Sequence, residues 1–553
     1  MSNPDQPEVR ISQGVLRGRK KTSILGQTYY SFLGIPYAKP PVGHLRFRAP
    51  RPPSNWFGIR DASREGDVSR QLYPHPSQAG HSLIGSEDCL YLNVFTPSVP
   101  AKNAETNILK PVMVWFYYGA FAYGNGNPDF YGPDYLLEKD VIVVTFNYRV
   151  GFLSLNIKEA PGNAGMKDQV AMLRWVKKEI QHFGGDPNNI TLFGESSGGA
   201  SVHLHMISPL SRAILQSATA YCGWAFAPMK VLYERTLRLA NQLGCVSQDP
   251  NEILEFLRKH PVDKLVWAQH EIVADAEKAS AQYFMFLPTI ESHHSLDEPF
   301  LTEDPRTLIR SGNFYKVPTM CGFTEKKDFL IFLVTTSKRF IELLVNGFED
   351  YLPQRMFRWI DSISRDSPCY EKIRRRYFDG LESKLAKSTI HHAEFPTLEK
   401  YFTEVCFKYP IMAAAIDMHK YMTPAIPIYT YYFTFAGALG WNNRRANFPV
   451  DKSVVAHGDE LGYLFHISVL KKPKLSPDAP EFKTIERMTQ FWTNFAKRGN
   501  PNPDTISPLF PCVWRPMSED GNFRALKIDE KLEELDSIEV FDFWHPIDVA
   551  LEN

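Results

Sequence analysis

The chain has 553 residues, of which 44% are hydrophobic and 22% charged, as in a soluble globular protein. The charges of its 62 basic and 62 acidic residues cancel, so the sequence has no excess of positive charge to attract nucleic acid or an anionic membrane. It contains no run of 18 apolar residues, so no membrane span is predicted.

The cysteines and the N-terminal segment predict a cytoplasmic protein. The seven cysteines include no C-x-x-C pair, which argues against a disulfide framework or a zinc site and favours reduced thiols. The first eight residues are polar and lack the apolar stretch of a signal peptide.

Alternating strands and helices are predicted for the first 220 residues. Residues 9–18 and 28–32 alternate as N-terminal strands do, and the apolar runs 111–116 and 141–148 are typical of strands buried on both faces. Residues 163–182 carry apolar side chains three and four positions apart, which predicts a helix. This order indicates a mainly parallel α/β sheet.

The rest of the chain is predicted to be mostly helical. The sequence shows neither internal repeats nor a flexible linker, so we expect a single domain over residues 7–545, with lid-like insertions. The predicted helices are 232–243, 251–259, 339–346, 398–419 and 479–498, and the predicted strands are 317–322 and 426–435.

A serine lies in a glycine-rich turn between a predicted strand and a predicted helix. The apolar run 190–193 is followed by Gly-Glu-Ser-Ser-Gly at 194–198 and then by an apolar-periodic segment. Strand, Gly-x-Ser-x-Gly and helix form the pattern of a nucleophile elbow, which would expose Ser196 above the sheet. The alternative is an ordinary loop rich in glycine and serine.

Two further segments have the residues that a serine nucleophile requires. The turn after the buried strand 111–116 has the backbone N–H groups of Gly119 and Ala120, which with that of Ser197 would form an oxyanion hole. His457 precedes a glycine late in the chain, in the order nucleophile, acid, histidine that such hydrolases follow. A plain strand-to-loop turn and a structural histidine remain the alternatives.

With these segments in order, the chain resembles the type-B carboxylesterase and cholinesterase family of α/β-hydrolases, and most of all the insect intracellular alpha-esterases. The resemblance implies a large, mainly parallel twisted sheet flanked by helices, and a cytoplasmic role in detoxification. It extends from about residue 9 to about residue 544. Its marks include Gly34-Ile35-Pro36-Tyr37-Ala38, Phe183-Gly184-Gly185-Asp186-Pro187 and His457-Gly458-Asp459-Glu460-Leu461.

Carried over position by position, the resemblance makes Ser196 the nucleophile and His457 the general base and acid. It assigns the oxyanion hole to Gly119, Ala120 and Ser197. It implies a small-molecule ester substrate and neither a metal nor an organic cofactor. The predicted pocket residues are Trp224, Tyr118 and Phe121, and the predicted structural ion pairs are Arg46 with Glu87 and Arg149 with Asp168.

The chain departs from the family at the catalytic acid. In the segment that begins at Gly322, the position of the family's glutamate holds Lys327. A charged lysine cannot accept the imidazole N–H, and at about 4 Å it opposes the imidazolium by roughly 4 kcal/mol for an effective dielectric constant of about 20. Loss of the orienting carboxylate costs serine proteases about 10⁴ in rate, so impaired turnover is expected unless Asp328 or Glu325 substitutes.

Three functions follow from this pattern. The first is a serine carboxylic ester hydrolase that acts on apolar esters through an acyl-enzyme on Ser196. The second is a catalytically weak relative that binds or sequesters esters or organophosphates. The third, an adhesion-type interaction protein, is disfavoured because Ser196 and His457 are both retained.

Overall fold

A computed structural model describes residues 5–74, 81–100, 108–151, 157–211, 217–220, 229–272, 286–292, 296–325, 363–380, 396–441, 444, 455–471, 473–518 and 523–552. The predicted helix 339–346 lies outside the described residues. The strands are β1 (Glu8–Ile11), β2 (Gly14–Arg17), β3 (Arg19–Thr22), β4 (Thr28–Pro36), β5 (Ile59–Asp61), β6 (Gln71–Pro74), β7 (His81–Ile84), β8 (Tyr91–Thr96), β9 (Lys110–Phe116), β10 (Ile142–Phe146), β11 (Gly185–Gly194), β12 (Ser217–Ala220), β13 (Thr319–Thr324), β14 (Ile428–Phe433), β15 (Ala525–Ile528) and β16 (Leu532–Leu535).

The helices follow the apolar periodicity of the sequence. They are α1 (Asp134–Leu137), α2 (Ala164–Glu179), α3 (Ser197–Ile207), α4 (Met229–Gln242), α5 (Pro250–Lys259), α6 (Val262–Glu271), α7 (Pro305–Arg310), α8 (Pro368–Tyr377), α9 (Pro396–Thr403), α10 (Tyr409–His419), α11 (Pro480–Arg498) and α12 (Glu539–Glu552). Short 3₁₀ helices span Gly43–Leu45, Ile180–Phe183 and Asp459–Tyr463, and a π-helix spans Glu404–Lys408.

Eleven of the described strands form a large mixed sheet whose centre is parallel, while β1, β2 and β5 form a second sheet and β6 and β7 a third. The order of the large sheet is β16-β15-β14-β13-β12-β11-β9-β10-β8-β4-β3. The seven strands from β15 to β10 pair in parallel, and antiparallel strands lie at both edges. The mainly parallel sheet predicted from the sequence is confirmed.

The central strands are apolar because both of their faces are buried. All five residues of β10 are buried, as are the last five of β9 and the last five of β11. Strand β11 lies between β9 and β12. Because parallel strands end at the same edge of a sheet, the chain segments after β9 and β11 emerge side by side.

Two predicted elements differ in detail from the structure. The predicted strand 9–18 is an antiparallel hairpin of β1 and β2, since the apolar alternation continues on both sides of a turn at residues 12 and 13. The predicted helix 398–419 is interrupted by the π-helix Glu404–Lys408. Pro410, two residues after the π-helix ends, lacks the N–H that a continuous α-helix would use, which accounts for a widened turn at this point.

Aromatic packing connects the two chain segments that carry the predicted site residues. The ring of Trp115 in β9 lies 4.9 Å from that of Phe193 in β11 and 4.8 Å from that of Phe465, measured between centroids. Phe465 comes two residues after the 3₁₀ helix Asp459–Tyr463. This contact fixes the segment that follows His457 against the strand that ends at the elbow.

Candidate active site

Ser196 lies at the sharp turn between β11 and α3. Its backbone angles are φ 55° and ψ −122°, a conformation that costs a non-glycine residue on the order of 1–3 kcal/mol. The turn is closed by the N–H of Gly198, which donates to Glu195 O over 2.8 Å, and by the N–H of Ala200, which donates to Ser196 O over 2.9 Å. Ser196 is partly exposed, whereas its neighbours Glu195 and Ser197 are buried.

Glycines at the elbow allow α3 to approach the sheet closely. A Cβ atom at Gly198 would lie 2.0 Å from the carbonyl oxygen of Phe116, the last residue of β9. A Cβ atom at Gly194 would lie 2.6 Å from the backbone of Gly198. Since side chains do not fit in either place, the elbow packs directly against the end of β9, where the predicted oxyanion turn begins.

The turn formed by Gly119 and Ala120 also has an unusual backbone. Their φ angles are 120° and 59°, and a Cβ atom at Gly119 would lie 1.9 Å from Tyr123 O. The carbonyl of Gly119 accepts hydrogen bonds from the N–H groups of Ala122 and Tyr123, over 2.9 and 3.1 Å. Among the hydrogen bonds of the described residues, none uses the N–H of Gly119 or Ala120 as a donor.

His457 lies in a turn directly before a 3₁₀ helix. Asp459 holds this turn, because its carboxylate accepts a hydrogen bond from the N–H of Ala456 over 2.7 Å and its own N–H donates to Ala456 O over 3.1 Å. The imidazole is 12% exposed. Its ring centroid lies 5.2 Å from that of Phe407, in the π-helix.

The nearest described carboxylate to His457 belongs to Glu195, the residue before the elbow serine. Oε1 of Glu195 lies 2.7 Å from Nε2 of His457, and the Glu195 side chain is only 2% exposed. The contact becomes an ion pair when the imidazole of His457 is protonated. The sequence alone predicts no role for Glu195, although this residue lies within the elbow motif.

Of the two acids that the sequence offers in place of Lys327, only Glu325 lies within the described residues. Glu325 follows β13, where its N–H donates to Phe433 O over 3.0 Å. Burial raises the pKa of Tyr432 and the charge of Glu325 adds to this effect, whereas at Lys408 burial lowers the pKa and the charge of Glu325 opposes it. Both Glu325 and His457 are described, and they form no ion pair within 4.0 Å. The other acid candidate Asp328, the lysine Lys327 and the pocket residue Trp224 lie outside the described residues.

Lys408, a buried lysine, comes directly after Phe407, whose ring contacts that of His457. Nζ of Lys408 lies 4.9 Å from the ring centroid of Tyr432 and 5.9 Å from that of Phe323. Burial lowers the pKa of Lys408 to about 8, against the opposing effects of Glu404 and Glu325. A single cation within the apolar run 405–412 was the signal available in the sequence.

Aromatic side chains surround the Gly119 and Ala120 turn. The ring of Tyr118 lies 5.9 Å from that of Trp441 and 6.5 Å from that of Tyr131. Tyr118 is half-buried, whereas Phe121 is fully buried and has a φ of 61°. Of the predicted pocket residues, Tyr118 is therefore partly accessible next to the turn, whereas the side chain of Phe121 is buried.

Two other histidines near the elbow are held neutral. His203 and His205 both lie in α3, and burial lowers the pKa of His203 to about 4 and that of His205 to about 3. His205 bridges Ser211 Oγ at 2.7 Å and Gln169 Oε1 at 2.9 Å. These contacts make His205 part of the support of α3.

Both predicted ion pairs are present. Nε of Arg46 lies 2.6 Å from the carboxylate of Glu87, and NH2 of Arg149 lies 2.7 Å from that of Asp168, which is fully buried. No cluster of three or more His, Cys, Asp or Glu side chains suited to a metal ion occurs within the described ranges. In the same ranges, no helix is both long enough and apolar enough to cross a membrane.

The parallel sheet, the strained serine between strand and helix, and the glycine contacts that hold this turn against β9 define an α/β-hydrolase. The chain belongs to the carboxylesterase family, whose model matches residues 5–544. It is accordingly a carboxylic ester hydrolase.

Curated relatives and a solved structure agree with this family. The chain is 34% identical over 530 residues to a juvenile hormone esterase of Tribolium castaneum, covering 90% of this chain and 85% of the relative. It is 31% identical to a carboxylic ester hydrolase of Bombus ignitus, covering 99% and 95%. The crystal structure of juvenile hormone esterase from Manduca sexta, with OTFP covalently attached, has a TM-score of 0.77 at 27% identity and covers 98% of this chain and 99% of that one.

Proposed function

We propose that the chain hydrolyses apolar carboxylic esters through an acyl-enzyme on Ser196. The observation that carries this proposal is the strained backbone of Ser196, at φ 55° and ψ −122°, in a turn closed against β9. A covalent adduct on a relative of similar fold, the esterase of Manduca sexta, supports covalent chemistry here. Tyr118, Tyr131 and Trp441 near the turn support an apolar ester as substrate.

In the proposed reaction, His457 takes the proton of Ser196 as Oγ attacks the ester carbonyl. The N–H groups of Gly119, Ala120 and Ser197 stabilise the negative oxygen of the tetrahedral intermediate. His457 then returns the proton to the departing alcohol, and a water molecule hydrolyses the acyl-enzyme by the same steps in reverse.

We further propose that Lys327, at the family's acid position, slows this cycle. Its cation replaces the carboxylate that would accept the Nδ1–H of His457. The chain would then acylate more readily than it deacylates, and a second function, slow sequestration of esters or organophosphates, becomes available to it.

Pre-steady-state kinetics with a nitrophenyl ester test both functions. A burst of nitrophenol that is stoichiometric with enzyme and followed by slow turnover supports the impaired cycle, and the burst must vanish in Ser196→Ala. Lys327→Glu restores the glutamate of the family at the acid position, and a rise of about a hundredfold in kcat supports the proposed defect. Ordinary turnover in the unmodified chain, unchanged by Lys327→Glu, would refute the impairment while leaving the esterase function intact.

A cytoplasmic location is also proposed for this protein. The described cysteines Cys89, Cys245, Cys321, Cys369 and Cys512 are free thiols, which supports a reducing compartment. Immunofluorescence with a tagged full-length chain tests the location, and staining of the secretory pathway would contradict it.

A further inference from the structure

We propose that the exposed face of the small N-terminal sheet docks onto a membrane surface that carries anionic phospholipids. The N-terminal docking surface comprises the outer face of β1, β2 and β5, the loop 51–58 that precedes β5, and strand β3, which follows β2. In the docked state, Phe57 inserts among the lipid headgroups while the surrounding cations attract the negative charge of the lipids. The inference is independent of the proposed ester hydrolysis.

Positive charge is concentrated in this part of the chain. Although the charges of the whole sequence cancel, residues 5–65 contain eleven Lys and Arg residues and only four Asp and Glu residues. Several of these cations are exposed and take part in no ion pair among the described residues, namely Arg10, Arg19, Lys21 and Arg64. They are therefore available to attract an anionic surface.

The outer face of the sheet also carries apolar side chains. Arg10, Val15 and Ile59 lie directly opposite one another across β1, β2 and β5, so their side chains share one face. On this face, Ile59 is 46% exposed. The opposite face carries Val9 and Leu16, which are buried in the core. The sheet thus buries one apolar face and exposes a second face on which apolar and cationic side chains are neighbours.

The most exposed apolar side chain of this surface is held in place by its neighbour. Phe57 lies two residues before β5 and is fully exposed. The backbone N–H of Trp56 donates to Gln13 O, and its indole Nε1–H donates to Val15 O, each over 3.0 Å. These bonds fix the loop against β2, so the ring of Phe57 can enter an apolar layer with little ordering of the backbone.

Carboxylates neutralise part of the charge on this surface. Glu8, Arg17 and Asp61 form the next row of the outer face, and Glu8 pairs with Arg17 over 2.8 Å. A hydrogen bond from Ser63 lowers the pKa of Asp61, and the charge of Arg19 lowers it further. Cations still outnumber carboxylates here, so we expect an attraction to anionic lipid that weakens as salt is added.

An anionic bilayer matches both parts of this surface. Its headgroups supply negative charge, and its apolar layer lies directly beneath them. A polyanion such as double-stranded DNA supplies the charge alone and would leave Phe57 in water. The cytoplasmic face of cell membranes carries anionic lipids, which agrees with the location proposed above.

Co-sedimentation of the full-length chain with lipid vesicles tests the inference. Vesicles of phosphatidylcholine with about 30% phosphatidylserine should bind the chain at least about tenfold more tightly than vesicles of phosphatidylcholine alone. Phe57→Ala should weaken binding to the mixed vesicles by about tenfold, because the inserted ring is lost. The double variant Arg19→Gln, Lys21→Gln should weaken it by about fivefold for each charge removed.

Matched control variants change the same residue types in other elements. Phe482→Ala removes a phenylalanine of α11 that is 45% exposed, and the double variant Lys316→Gln, Lys474→Gln removes two exposed cations. Each control should bind the mixed vesicles within about twofold of the unmodified chain. Urea unfolding should be the same in all of these variants, because every changed side chain lies at the surface.

Several outcomes overturn the inference. It fails if the unmodified chain binds both kinds of vesicle equally or binds neither. It fails if Phe57→Ala keeps its binding within about twofold, since the surface would then act by charge alone and would suit nucleic acid equally well. It also fails if the control variants lose as much binding as the variants of the N-terminal docking surface.

Discussion

Replacing the buried lysine of the π-helix should make the protein more stable and change how its stability depends on pH. Lys408 is 9% exposed and lies near the rings of Phe323 and Tyr432. Burial lowers its pKa from 10.5 to about 8. Each pKa unit corresponds to about 1.4 kcal/mol, so the charged lysine destabilises the folded state by roughly 3 kcal/mol below pH 8.

The sign follows from proton binding in the two states. Between pH 8 and pH 10.5 the unfolded chain holds a proton on Lys408 that the folded protein has released. The free energy of unfolding contributed by this residue therefore rises with pH across that window and is level on either side. Lys408→Met removes the titration, so the variant should gain most below pH 8 and gain little near pH 10.5.

Urea unfolding followed by tryptophan fluorescence at pH 7, 8, 9 and 10 checks this prediction. The control is Lys39→Met, since Lys39 is exposed and its replacement should leave the pH dependence unchanged. The reasoning is refuted if Lys408→Met destabilises the protein at pH 7. It is also refuted if the two variants show the same dependence on pH.

Three more changes have defined outcomes. Gly198→Ala would put its Cβ 2.0 Å from the backbone of β9, so thermal unfolding should show a loss of at least about 2 kcal/mol and ester hydrolysis should cease. In the control Gly58→Ala the Cβ meets no atom within 4 Å, so the variant should bear only the strain of a φ of 74° and keep activity. Asp168→Asn leaves the guanidinium of Arg149 buried without its carboxylate and should cost about 3–5 kcal/mol in urea unfolding. Because burial raises the pKa of Cys321 to about 12, iodoacetamide should modify this thiol only in the unfolded chain, as peptide mass mapping would show.

The sheet could be predicted because its central strands have a simple signature. Continuous apolar runs occur where both faces are buried, as in β9 and β10, and the structure has strands at both places. The hairpin of β1 and β2 was not predicted, since its alternation does not reveal the turn at residues 12 and 13. The π-helix was not predicted either, because a single proline changes hydrogen bonding without changing apolar spacing.

For the candidate site, sequence patterns identified segments but could not give side-chain contacts. The elbow motif predicted a strand-to-helix turn at Ser196, and the backbone has that turn. Glu195 was visible in the same motif, yet its contact with His457 joins positions 262 residues apart and depends on side-chain conformation. Lys408 shows the same limit, because its aromatic neighbours come from strands distant in the sequence.

The most direct test of the account is the site and rate of covalent acylation. The full-length chain would be mixed with a nitrophenyl ester, quenched at intervals and analysed by intact-protein and peptide mass spectrometry. The account predicts one acyl group per chain on the peptide that contains Ser196, formed faster than it is lost and absent from Ser196→Ala. An adduct on another residue, or ester hydrolysis that survives in Ser196→Ala, would contradict it.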